Sequence, residues 1–291
     1  MTDLDRFLQL SLYGVRLSDI DLHRLFRMKA GSSFEEIRCE LGRTDAFDGN
    51  WAKSLGCVLD AWSEKHGLKW MNLAEADYPQ ALRWITQPPV VLYYVGQPVW
   101  RTWKTVSVVG SREPTEDSVN WMRRHLLSFL RDNAFAVVSG GARGVDRIAH
   151  EMAMLAGRPT VCFMPSGLLR PYPAGHKALF DRILDEGGAI VSGFPPDAMM
   201  QKCYFHARNR WIAGMSDVTF VVEAQRKSGS YLTARAAIEE GRSICTLPVS
   251  PLSLRGLANL DLIFEGAQML RDETDLTIFV RGENGLSTLP S

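Results

Sequence analysis

Residues 105–150 read TVSVVGSREPTEDSVNWMRRHLLSFLRDNAFAVVSGGARGVDRIAH. Thr105 to Val109 is a short, β-branched apolar run with no polar face, the pattern of a parallel strand covered on both sides. Gly110-Ser111-Arg112 breaks it, and Pro114 suits the first turn of a helix that runs to about Asn133. Phe135 to Val138 is a second buried strand, ended by Ser139-Gly140-Gly141, and Arg143-Gly144-Val145-Asp146 opens the next helix. Each strand thus delivers a small-residue turn to a helix N-terminus. There, unpaired N–H groups and the positive end of the helix dipole make a cradle for an anion. Arg112 and Arg143, one in each turn, point to phosphate as that anion.

The alternation continues outward from this stretch. Val90 to Val95 is a strand before it. After it come strands at Thr160–Met164, Ala189–Val191, Val218–Glu223 and Ser243–Leu247. Helices fall near Lys177–Asp185, from Phe205, and at Tyr231–Glu240. Regular βα alternation implies right-handed crossovers and an α/β fold: an extended Rossmann-like, doubly wound, mostly parallel sheet with helices on both faces. The spacing divides the chain into a small N-terminal helical module over 1–70, the α/β domain over 71–275 and a tail over 276–291, expected to fray from Thr277. In the first module Ser33 and Glu36 form a capping-box pattern, and Trp51 to Leu68 is a further helix.

Lys plus Arg and Asp plus Glu each total 33, so any basic site is local rather than global. The five cysteines are scattered, with no Cys-x-x-Cys, as in a reducing compartment. No secretory leader or membrane-length apolar run is visible, and the expected location is the cytoplasm. The dinucleotide fingerprint, the P-loop and the Gly-x-Ser-x-Gly elbow are all missing. Asp146 and His150 lie four apart on one helix without further ligands at metal spacing, so no metal, cofactor or catalytic residue is assigned. Cys203 and His206 lack an orienting carboxylate or amide, which argues against a nucleophilic pair.

Three turns share one design: Gly110-Ser111-Arg112, Ser139-Gly140-Gly141 with Arg143, and Ser228-Gly229-Ser230. One such turn is ordinary βα-loop chemistry, but three on one sheet edge form a site. Charge is locally biased as well: Gln201 to Arg242 holds seven basic and four acidic residues. With Arg170 and Lys177 from other loops, Arg208, Asn209 and Arg210 complete a basic cleft on a neutral chain. Trp211 and Tyr172 are aromatic candidates for base stacking or core packing.

The segments VVGSREPT (108–115), VVSGGARGVDRIAH (137–150), SGLLRPYP (166–173), FHARNRWIAGMSD (205–217) and VVEAQRKSGSYLTARAAIEEGRSI (221–244) resemble, in order and spacing, the DNA-processing protein DprA (Smf) family over residues 78–270. The 1–70 part resembles that family's sterile-alpha-motif-like module more loosely. The resemblance implies a homodimer that binds single-stranded DNA, with Arg112 on a backbone phosphate, and that protects incoming DNA and loads the RecA recombinase in natural transformation. Some members carry a lysine directly after the Tyr-Pro pair, where this chain has Ala174, with Lys177 nearest and Arg170 able to compensate. Val-Pro-Gly after the last strand becomes Leu247-Pro248-Val249, which alters the loop tied to dimer geometry or RecA contact. Two rivals share the fold: a small-nucleotide sensor and a nucleoside-monophosphate phosphoribohydrolase. The latter needs a glutamate after its Gly-rich loop, whereas Ser228-Gly229-Ser230 has none until Glu239. A non-enzymatic binder is therefore the expectation.

Overall fold

The computed structural model describes residues 63–73 and 75–282, together with Glu36 and Ala61. The N-terminal helical module, its Ser33 capping box and most of the Trp51–Leu68 helix lie outside the described residues. Strands β1 (Lys69–Asn72), β2 (Val91–Gly96), β3 (Lys104–Val109), β4 (Phe135–Ser139), β5 (Thr160–Phe163), β6 (Ala189–Ser192), β7 (Val218–Val221), β8 (Ser243–Thr246) and β9 (Gln268–Met269) form one sheet. Helix α1 spans Gln80–Arg83. Helices α2 (Glu116–Trp121) and α3 (Leu127–Asp132) are joined by a π-helical turn at Met122–Leu126. Then follow α4 (Val145–Leu155), α5 (Lys177–Asp185), α6 (Tyr204–Gly214), α7 (Gly229–Glu239), α8 (Leu257–Phe264) and α9 (Glu273–Arg281).

The strand order is β1-β2-β6-β5-β4-β3-β7-β8-β9. From β6 to β9 every pairing is parallel, while β2 runs antiparallel to both β1 and β6. The chain starts the parallel sheet at β3, winds outward through β4, β5 and β6, then returns to lay β7 on the other side of β3. The order therefore reverses between β3 and β7. At such a reversal the two following loops diverge to opposite faces and leave a crevice beyond the strand C-termini.

Alternation along the buried strands builds two apolar layers. Val109, Val138, Val161 and Val221 face α6, α7 and α8, with Trp211, Ile212, Ala234 and Leu262. Val106, Val108, Val137 and Phe220 face the other way, against Met122, Phe129, Ala149 and Leu276 from α2 to α4 and α9. Each fully buried side chain of this size contributes about 1.5–3 kcal/mol relative to exposure. Three features depart from the sequence reading. β1 lies where a connector was expected, two residues ahead of the domain boundary set at 71. The helix after Pro114 is interrupted by the π turn. The boundary at 275 falls inside α9, so the stretch expected to fray from Thr277 is helical to Arg281, because Leu276 is fully buried and Asp272 caps the helix. Among the described residues no helix is long and apolar enough to cross a membrane.

His150, on the buried face of α4, is structural rather than part of a metal or acid–base pair. Thr160 donates its hydroxyl proton to Val137 O (2.8 Å) and so accepts from His150 Nδ1 (2.7 Å), which fixes a neutral imidazole with its proton on Nδ1. Burial pushes the pKa of His150 down to about 3. The unfolded chain binds this proton below the ordinary value of about 6.5, whereas the folded chain does not until about 3. Stability from this group is therefore complete above pH 6.5 and declines as pH falls, by up to about 1.4 kcal/mol per pH unit. Urea denaturation from pH 7 to pH 5 is expected to show this slope, and His150→Phe should remove its share. Equal slopes in the two proteins would contradict the assignment.

Candidate nucleic-acid interface

The turn after β3 is held at four points while its arginine is left outside. Gly110 O accepts from Ser230 Oγ (2.6 Å), and Ser111 O accepts from the Val145 N–H (3.0 Å). Glu113 O accepts from Arg255 Nη1 (3.1 Å). At its far end Thr115 N, Thr115 Oγ1 and Ser118 Oγ all donate to Oε2 of the buried Glu223, at 3.0, 2.7 and 2.8 Å. Arg112 projects from this clamped turn into solvent. The clamp also requires Gly144. Its φ is +74°, and a Cβ there would lie 2.4 Å from Ser111 O.

In the second turn, Ser139 is buried and ties β4 to β3 through Oγ to Val108 O (2.7 Å). Gly140 lies outside the cavity lining, beneath Arg208. A Cβ on it would stand 1.4 Å from Arg208 Nη1 and 3.0 Å from Asp146 Oδ2, so the guanidinium of Arg208 lies directly on this glycine. Asp146 Oδ2 accepts from Ala142 N (3.3 Å), the expected structural role. Burial pushes its carboxyl above the usual carboxylate range, with Arg208 pulling the other way. Ser228 caps α7 by accepting from Tyr231 N (3.2 Å), which leaves the first turn, Gly229 and Ser230, at the cavity wall. Asn209 Nδ2 donates to Gly229 O (3.2 Å) and joins α6 to that turn.

Between these parts is a cavity of about 530 Å³, at the reversal between β3 and β7. The structure brings eight of the expected residues to its lining: Gly110, Ser111, Arg112, Arg208, Asn209, Ser228, Gly229 and Ser230. Others are placed elsewhere. Ser139 lies in the sheet beneath it, and Gly141 packs near Cys162 and Phe180, its carbonyl accepting from His176 Nδ1 (2.9 Å). Arg143 and Arg170 are exposed outside the lining. Lys177 is exposed and paired with Asp181 (2.6 Å). Arg210 turns away to Glu239 (2.7 Å) and Glu240. Trp211 is core, its Nε1 donating to Gln87 O (3.2 Å), so it offers no face to a base. Tyr172 meets the edge of Phe205.

The sequence reading counted Lys202 among its local basic residues but missed three lining residues that matter: Phe205, His206 and Arg255. Phe205, His206 and Asn209 share one face of α6 by their spacing, a signal present in the sequence, and Lys202 stands in the turn just before that helix. Arg255 carries no local signal. The Phe205 ring lies against two guanidinium groups, Arg112 at 6.0 Å and Arg208 at 5.5 Å from its centroid. Among the described residues, the ion pairs involve other cations, so Arg112, Lys202, Arg208 and Arg255 each lack a carboxylate within 4.0 Å.

Comparison with known proteins identifies the family of the chain. Protein Smf of Synechocystis sp. is 36% identical over 206 residues, which is 69% of this chain and 51% of that protein, so the chain spans about half the length of this relative. The DNA processing protein DprA of Streptococcus pneumoniae is 33% identical over 221 residues, 75% of this chain and 77% of the relative. The solved structure of the Streptococcus pneumoniae protein superposes with a TM-score of 0.77 at 26% identity, covering 95% of this chain and 97% of that one. The DNA processing protein A of Helicobacter pylori, whose structure concerns a single-stranded DNA binding mode, gives 0.64 at 29% identity over 74% of this chain and 97% of that one. The family model described as DNA recombination-mediator protein A matches residues 69–281, from β1 to the end of α9, and the chain belongs to that family.

Proposed function

We propose that this protein binds single-stranded DNA by its phosphates in the cavity at the β3/β7 reversal, without catalysis. It would act as a homodimer that protects the strand and passes it to a RecA-type recombinase. The observation that carries the reading is the set of four cations lacking carboxylate partners, Arg112, Lys202, Arg208 and Arg255, gathered at one cavity of a chain with no net charge. Cations that outnumber the acids around a cavity make a field that concentrates an anionic ligand. The single-stranded DNA binding reported for the Helicobacter pylori relative supports the same reading. Labelled oligo-dT, titrated by anisotropy at two salt concentrations, tests it. Binding should weaken linearly in log salt with a slope of about −0.7 per phosphate contacted.

The hydrolase rival is disfavoured by the carboxylates available. Asp146 and Glu113 are the acids lining the cavity among the described residues, and Asp146 is committed to the turn backbone. Incubation with nucleoside monophosphates should release no free base, and sustained release would replace the binding account with an enzymatic one.

The dimer reading rests on exposed apolar residues in and after α8, where Phe264 is 94% and Met269 41% exposed. Leu262, on the same helix, is buried in the core, so a charge there would unfold the domain rather than split a dimer. Phe264→Asp is expected to sediment as a folded monomer where the wild type is dimeric. A wild type that is monomeric at every concentration excludes the homodimer. Stimulated RecA filament formation on oligo-dT, lost in Phe264→Asp, is the corresponding expectation for transfer to the recombinase.

A further inference from the structure

The four cations are not equivalent. Arg112, Lys202 and Arg255 are exposed at the rim, whereas Arg208 is only 5% exposed and lies on Gly140. Its Nε is buried without a hydrogen-bond partner among the described residues. Burying a guanidinium is expensive unless its charge is matched and its N–H groups are filled. Asp146 offsets part of the charge, but its Oδ2 accepts from Ala142 N, and among the described residues no carboxylate stands at ion-pair distance from Arg208. Arg208 thus lines the cavity as a buried cation whose charge Asp146 offsets only in part. The capped N-terminus of α7 lines the same cavity and adds two first-turn residues, Gly229 and Ser230, to the positive side.

Depth selects the kind of phosphate. A cavity of about 530 Å³ is the size that encloses one small ligand rather than a tract of polymer. A phosphodiester in mid-strand could reach Arg208 only by bringing both flanking nucleotides down with it. A terminal phosphate brings one, and it offers three acceptor oxygens and a charge of about −1.5 to −2. We infer that buried Arg208, with the first turn of α7, forms a subsite for a phosphomonoester, so that the cavity takes the phosphorylated end of a strand or a nucleoside monophosphate while the rim holds internal phosphates. This inference rests on the single-stranded DNA reading and adds an end preference to it.

The experiment compares oligo-dT carrying a 5′-phosphate with the same oligomer carrying a 5′-hydroxyl, both labelled at the 3′ end. Unlabelled dTMP and inorganic phosphate serve as competitors. The 5′-phosphorylated strand should bind about tenfold more tightly, the scale of one or two hydrogen bonds to a charged group. Displacement by dTMP identifies a free nucleotide as the source of the phosphate, and displacement by phosphorylated DNA alone identifies a strand end. Arg208→Gln should erase the ratio between the two oligomers. Equal affinities in the wild type, with no displacement by dTMP or phosphate, overturn the subsite, and a ratio that survives in folded Arg208→Gln overturns its assignment to Arg208. Both comparisons are made within a protein that binds the 5′-hydroxyl strand. Loss of all binding would instead strike the single-stranded DNA reading.

Discussion

Arg112→Ala is expected to weaken oligo-dT binding by about tenfold or more, because a hydrogen bond from a cation to phosphate is worth about 1.5–3 kcal/mol. The loss should be similar for oligo-dA, since a phosphate contact carries no base information. The slope of log K against log salt should fall in magnitude by about 0.7, the value for one phosphate on a single strand. Folding should be little changed. Arg112 is exposed, and the turn that carries it is clamped by Ser230, Val145, Glu223 and Arg255 rather than by its own guanidinium. Lysine should restore part of the affinity only, because it cannot contact phosphate in a planar, two-pronged way. Unchanged affinity and slope would place the DNA elsewhere.

Gly144→Ala is expected to damage both fold and site. At φ +74° and ψ −128° the residue occupies a region that is essentially glycine's alone, a strain of about 1–3 kcal/mol for alanine. The added carbon would also sit 2.4 Å from Ser111 O and 2.7 Å from Arg112 O, which are backbone atoms and cannot rotate aside. Relieving that overlap costs about 1–3 kcal/mol more and pushes the Arg112 turn off Val145. Urea denaturation should therefore show a loss of about 3 kcal/mol or more, with weakened DNA binding in whatever remains folded. Gly157→Ala is the control. It has φ +66° with nothing within 4 Å of the new carbon, so it should lose about 1 kcal/mol and keep full binding. Equal losses at the two positions would show that the overlap with Ser111 is not what matters.

The parallel core was legible because its strands are buried on both faces and so read as short runs rich in β-branched residues, as in Thr105–Val109 and Val218–Val221. β1 and β9 were not. Lys-Trp-Met-Asn and Gln-Met are too short and too mixed to show a period, and their pairing comes from β2 and β8 rather than from themselves. Of the three glycine turns legible in the sequence, those at Gly110 and Ser228 line the cavity, whereas Ser139-Gly140-Gly141 lies outside its lining. Which cations enter the cavity was legible only in part. Arg208 and Arg210 are two apart on a helix and must face nearly opposite ways, so only one could reach the cavity, and the glycine under Arg208 decides which. Lys177 has Asp181 four residues on, a helical ion pair visible in the sequence. Arg255 arrives from a loop 142 residues beyond the Glu113 carbonyl it meets, a contact that no local pattern encodes.

The most direct test is a crystal structure of the protein with a short oligo-dT. The account predicts a backbone phosphate held by Arg112 at the cavity rim, with the strand leading along Lys202 and Arg255. DNA bound on another surface, with this cavity empty, would contradict it.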